Sequence, residues 1–212
     1  MSEFRIVNEK VIAASMRGEV VYARVGSMIA YTGEVNFARS FLGNGGISNM
    51  AMRAATNEGI ALMAAQGNGE VHYADHGRHV FVVDLQGQEL HVESGNVLAF
   101  DGQVRAGTSF LGNRGVGGIV SGMAAGQGLF TSTFSGRGQV AVTSHGDIIA
   151  LPVSAERPLF VDPQAYIGHL GNLSSSIHTD VNWKTLIGQR SGESYQLKFT
   201  GQGTVYIQAS EV

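Results

Sequence analysis

The chain of 212 residues carries 14 Lys+Arg against 17 Asp+Glu, a net charge of −3, and no cysteine. This excludes disulfides, thiolate metal sites, iron–sulfur clusters and a cysteine nucleophile, and it offers no basic surface to attract nucleic acid or anionic lipid. With 30 glycines, 3 prolines and only 15% charged residues, the composition points to short strands joined by tight turns.

The first stretch, MSEFRIVNEK, lacks the basic and apolar regions of a signal peptide, and no apolar run of about 18 residues follows it. The expectation is a cytoplasmic protein whose membrane contact is at most peripheral. From Gly18 the sequence begins to repeat itself. Gly18–Val35 (GEVVYARVGSMIAYTGEV) aligns without a gap on Gly87–Val104 (GQELHVESGNVLAFDGQV), an offset of 69 residues. The same offset carries Ser40–Asn44 (SFLGN) onto Ser109–Asn113, Gly67–Val71 (GNGEV) onto Gly136–Val140 (GRGQV), and His76-Gly77 onto His145-Gly146. A further step takes Leu90–Glu93 (LHVE) onto Leu159–Asp162 (LFVD) and Gly102 onto Gly171. The last segment is four residues shorter, so that Gly136–Val140 matches Gly201–Val205 (GQGTV). One register held through non-glycine identities such as Phe41/Phe110 and Asn44/Asn113 marks internal duplication.

Within the copies, Val80–Val83 and Ile148–Leu151 read as buried strands, and Leu90–Glu93 alternates as a half-buried one. The Gly-x-Gly pairs before Val71, Val140 and Val205 predict a bend ahead of the last strand of each copy. Ile47–Thr56 (ISNMAMRAAT) could form a short helix, whereas the equivalent Val116–Ala125 is too rich in glycine to do so. The reading is an all-β chain with a single domain over 1–212, built of three repeats at about 10–78, 79–147 and 148–212. Equal units that bury equivalent faces suggest a pseudo-threefold β-sandwich or β-prism, like a double-stranded β-helix, closed on three sides.

Gly95–Asp101 (GNVLAFD), Gly126–Phe130 (GQGLF) and the closing Phe199–Gln208 (FTGQGTVYIQ) resemble the altered inheritance of mitochondria protein 24 family. The resemblance spans essentially the whole chain. It implies a fold similar to the tryptophan RNA-binding attenuation protein, with its β-sandwich unit repeated in one chain. For mitochondrial members it also implies a part in inner-membrane organisation, and it brings no catalytic residue. RNA binding would need several basic side chains and stacking aromatics along one rim. Only Lys10, Lys184 and Lys198 are lysines, and Arg114 and Arg137 fall on Gly45 and Asn68 in the first copy, so no nucleic-acid partner is expected.

The densest polar cluster is His72–His79 (HYADHGRH), with three imidazoles and Asp75 in eight residues. Such a set could ligate a transition metal. There is no His-x-His in the sequence, however, and only His76 recurs, as His145 in a His-Gly pair, which reads as turn chemistry. Gly118–Gly122 (GIVSG) displaces the serine of a nucleophile elbow by one, and no Gly-Lys pair supplies a phosphate-loop lysine. Glu19, Glu34, Asp84, Glu89 and Glu93 sit singly at positions that solvent exposure explains. No catalytic residue, metal or cofactor is therefore assigned.

Two features favour interaction. Val116–Gly128 (VGGIVSGMAAGQG) is apolar and nearly uncharged, and the sparse charge elsewhere leaves strand edges weakly protected. The expected function is a non-enzymatic β-scaffold that binds a protein partner or itself. The alternative is a small-ligand module with a pocket near Phe41–Asn44 and Phe110–Asn113. Trp183 and Ser174–Ser176 of the third copy have no assigned role.

Overall fold

The computed structural model describes residues 2–41, 61–111, 129–178 and 196–209. In chain order the strands are β1 (Glu3–Asn8), β2 (Val11–Arg24), β3 (Met28–Phe41), β4 (Ala61–Tyr73), β5 (His79–Gln86), β6 (Leu90–Glu93) and β7 (Val97–Asp101). They continue with β8 (Arg105–Leu111), β9 (Leu129–Ser135), β10 (Arg137–Ser144), β11 (Ile148–Val153), β12 (Leu159–Val161), β13 (Tyr166–His178) and β14 (Gln196–Gln208). A single 3-10 turn, Ser94–Asn96, separates β6 from β7. The chain is all-β among the described residues, and no helix there is long and apolar enough to cross a membrane.

All pairings between these strands are antiparallel, in two seven-stranded sheets. The first runs β3-β4-β2-β7-β10-β5, with β1 added to β2; the second runs β11-β14-β13-β6-β9-β8, with β12 added to β14. The middle third of the chain is divided between them, with β5, β7 and β10 in the first sheet and β6, β8 and β9 in the second. Among the described residues β3 pairs only with β4 and β12 only with β14, so each has one backbone edge that no strand covers. β5, β8 and β11 likewise stand at the ends of their sheets, each with one partner among the described residues.

Alternation explains which side chains enter the core. In β6, Leu90 and Val92 are buried while His91 and Glu93 are half-buried, as the period of two demands. Val80–Val83 buries only its two end residues. Ile148–Leu151 departs from expectation: it forms the edge strand β11, with Ile149 at 45% exposure, because β14 covers one side and, among the described residues, no strand covers the other. The predicted bend ahead of the last strand is found in the second copy, where Gly136 separates β9 from β10, and moves inside the strand in the other two. Gly67 and Gly69 lie inside β4 rather than before it, where Val35 opposes Gly67 and Gly33 opposes Gly69. Gly33 and Gly67 have positive φ (86° and 145°), and a Cβ on either would press on the backbone of the opposite strand. Only glycine lets the two strands bend together at this level.

Three apolar clusters hold the sheets. One gathers Ile12, Met16, Val71, Tyr73 and Leu98 within the first sheet. Another contains Leu173, Leu197, Phe199 and Val205 of the second. Between them, Leu85, Leu90, Phe100, Phe134, Val140 and Ile167 come from both sheets, and the Phe100 ring lies 5.1 Å from that of Phe134. Each fully buried residue of this size contributes roughly 1.5–3 kcal/mol, so the middle cluster fixes the sheets to one another. The proposed helix at Ile47–Thr56, the Val116–Gly128 segment, Leu42–Asn44, Gly112–Asn113, Arg114, Trp183 and Lys184 lie outside the described residues.

Candidate functional site

The histidine cluster is not assembled into one site. His72 Nε2 lies 3.5 Å from Glu70 Oε1, His76 Nδ1 lies 2.7 Å from Asp75 Oδ1, and His79 Nδ1 lies 3.0 Å from Asp147 Oδ1. Three rings thus face three different carboxylates, and among the described residues no group of three His, Asp or Glu is placed to hold a metal ion. His76-Gly77 and His145-Gly146 both occupy turns, between β4 and β5 and between β10 and β11, with positive φ at His76, Gly77 and Gly146. An open surface hollow separates these two turns. Of the basic residues, Lys10 pairs with Glu9 at 3.6 Å, and Lys198 stands over the Phe160 ring at 5.6 Å.

The more informative geometry lies where distant stretches of chain meet. At the first joint β2 pairs with β7, with Val21 opposite Asp101, Tyr22 opposite Phe100 and Ala23 opposite Ala99. The Tyr22 and Phe100 rings stack at 5.3 Å. The Gly102 amide donates to the Val20 carbonyl at 2.8 Å. Arg24, at the end of β2, donates to the carbonyls of Val97, Ser94 and Gly95, the last at 2.7 Å. Arg78 reaches the same turn from the other side, donating to Asn96 Oδ1 at 2.6 Å and the Gly95 carbonyl at 3.0 Å.

Asp75 balances these cations. Burial works to raise its carboxyl, but the His76 hydrogen bond and the charges of Arg24, Arg78 and His76 outweigh it and hold the group below its ordinary value. Glu93, expected to be solvated, is half-buried beside the same arginines. Burial raises its carboxyl, against the Gly95 backbone hydrogen bond and the Arg78 and Arg24 charges.

At the second joint β13 pairs with β6: Leu90 faces Leu170, His91 faces His169, and Val92 faces Gly168. Every one of these positions stands 69 residues after its counterpart in the first joint. The two imidazoles stack at 4.4 Å and 7°. The Gly171 amide donates to the Glu89 carbonyl at 3.0 Å, as Gly102 does to Val20. His169 is buried, shares a 2.8 Å hydrogen bond with the Tyr166 hydroxyl, and is lowered to about 3, by burial first and by neighbouring His91 second. It is therefore neutral at pH 7. His91 meets Glu89 through Nε2 at 3.0 Å and the Ser109 hydroxyl through Nδ1 at 3.2 Å.

Residue-type motifs did not reveal these joints. Their signal was the ring at the same step of every copy: Tyr22, His91 and Phe160 on one side, and Tyr31, Phe100 and His169 on the other. Two of these rings, Tyr31 and Phe160, stand at edges that no described strand covers. Tyr31 on β3 is 49% exposed and Phe160 on β12 is 42% exposed. The ligand pocket anticipated near Phe41–Asn44 and Phe110–Asn113 falls largely outside the described residues.

Comparison with known proteins agrees on the fold. The X-ray structure of protein SPYM3_0169 from Streptococcus pyogenes superposes with a TM-score of 0.74 at 21% identity, covering 100% of this chain and 94% of that one. No curated protein matches the chain. The family described as Mitochondrial biogenesis AIM24 matches residues 4–210, and the chain belongs to that family.

Proposed function

We propose that this chain is a non-enzymatic scaffold, three copies of one β-unit set in a row, that works by joining its sheet edges to another protein surface. The units are those at about 10–78, 79–147 and 148–212, each of the kind found in the tryptophan RNA-binding attenuation protein, and the setting is the cytoplasm. The row of units is supported by strand position, since β2, β3 and β4 shifted by 69 fall on β5–β6, β7–β8 and β9–β10.

The observation that carries the function is a pair of edges bearing exposed rings. Among the described residues, β3 and β12 each have a backbone edge that no strand covers, with a large exposed ring, Tyr31 or Phe160. Natural β-proteins ordinarily protect such edges with charge, proline or a covering segment, and an unprotected one is a template for pairing. Native mass spectrometry of the purified protein at tens of micromolar tests this. Defined assemblies, or a bound protein retained from the host, are expected. A bare monomer at every concentration rejects the scaffold.

A further inference from the structure

Resting on the scaffold reading, we infer that the two open edges are complementary halves of one joint and that the partner is a second copy of this chain, docked head to tail. In the resulting pairing β12 of one copy adds to β3 of the next, with Leu159 opposite Thr32, Phe160 opposite Tyr31 and Val161 opposite Ala30.

The register comes from the two joints already formed. Tyr22 faces Phe100, and one step of 69 residues later His91 faces His169. The next residue in the first series is Phe160, and the residue preceding the second series is Tyr31. Both formed joints thus place ring against ring; at the open edges Tyr31 packs beside Phe37 and Phe160 beside His178 within their own sheets, but among the described residues neither has a ring opposite it across the edge. The backbone has the same arithmetic. Gly102 donates to Val20 and Gly171 to Glu89, so the Gly33 amide would donate to the Pro158 carbonyl, an acceptor that proline retains.

Burial points the same way. Leu98 and Ile167, which follow the first residue of β7 and β13, are 0% and 1% exposed, whereas Ile29 at the same step of β3 is 56% exposed. Phe100 and His169 are 2% and 4% exposed, against 49% for Tyr31. Positions covered at both formed joints are bare only where a neighbouring unit is missing. The edges differ from one another, so the contact is heterologous: copies add in one direction, into a ring if the rotation closes and a filament if it does not.

The test uses Tyr31→Glu, which blocks β3, and Phe160→Glu, which blocks β12. Both side chains are exposed in the single chain, and thermal melting of each variant checks that the fold is intact. The wild type is expected to assemble, and each variant alone to lose affinity by about 30-fold or more, the size of a binding hot spot. Mixed, the two variants retain one intact β12–β3 contact and form a 1:1 dimer and nothing larger. If both variants assemble as the wild type does, the head-to-tail joint is wrong while the scaffold stands. If either variant dimerises with itself, the contact is isologous and the inference fails. A monomeric wild type removes the scaffold reading as well.

Discussion

The two formed joints share a backbone and differ in chemistry. Tyr22 on Phe100 is a stack of two apolar rings, flanked by Arg24 and Arg78 clamping the turn at Ser94–Asn96. His91 on His169 is a stack of two imidazoles, flanked by Glu89 and the Tyr166 hydroxyl. The strands meet in the same register in both. Strand geometry therefore fixes where rings meet, and the flat shape of the ring is what the joint requires. The difference lies in response to acid, because only the second joint stacks imidazoles, one of which, His169, is held neutral by burial.

The sharpest way to break the comparison is Phe100→Ala. This ring touches Tyr22 across the joint and Phe134 between the sheets, so its loss opens a cavity in both contacts and should cost about 3–5 kcal/mol. Urea unfolding would report it.

Acid comes next. An unfolded histidine takes up its proton near pH 6.5, while His169 in the folded chain does so only at about 3. Between those values the unfolded chain binds more protons, so stability is complete above about pH 6.5 and falls by up to about 1.4 kcal/mol per pH unit as pH drops through the window. His169→Phe, which copies the ring of Phe100, should flatten that limb in melts taken across pH; an unchanged slope would assign the acid sensitivity elsewhere.

Arg24→Ala removes three hydrogen bonds from the first joint and leaves the turn carbonyls short of donors. A loss of about 1–3 kcal/mol is expected in urea unfolding near neutral pH. The smallest effect belongs to His76→Ala. Its side chain is 93% exposed, so a change within about 0.5 kcal/mol is expected, and a larger one would show that the Asp75 contact supports the turn.

The β class was legible because alternation and glycine-bounded runs report local geometry directly; Leu90–Glu93 buries the residues its pattern names. What could not be read was which strand edges meet. Ile148–Leu151 is apolar enough for a core strand yet lies at an edge, since burial there depends on a neighbour that the sheet order does not supply. Glu93 was misplaced for the related reason that its surroundings, Arg24 and Arg78, arrive from other strands. His72, His76 and His79 are close in sequence but separated by a strand end and a turn, so proximity along the chain gave no common site.

The position of β14 bears on how the protein is made. This strand, the last of those described, pairs with β11, β12 and β13 and so lies inside its sheet. While the chain is being synthesised, β11 and β12 have no intramolecular ladder, and β13 is held only by its short contact with β6, until β14 leaves the ribosome. Nascent chains halted before that point display two unpaired strands and a third held only at β6, the condition in which β-proteins aggregate or recruit chaperones. The third copy's part of the second sheet is thus completed only once β14 is available, and truncation ahead of Gln196 should be far more damaging to solubility than the length removed suggests.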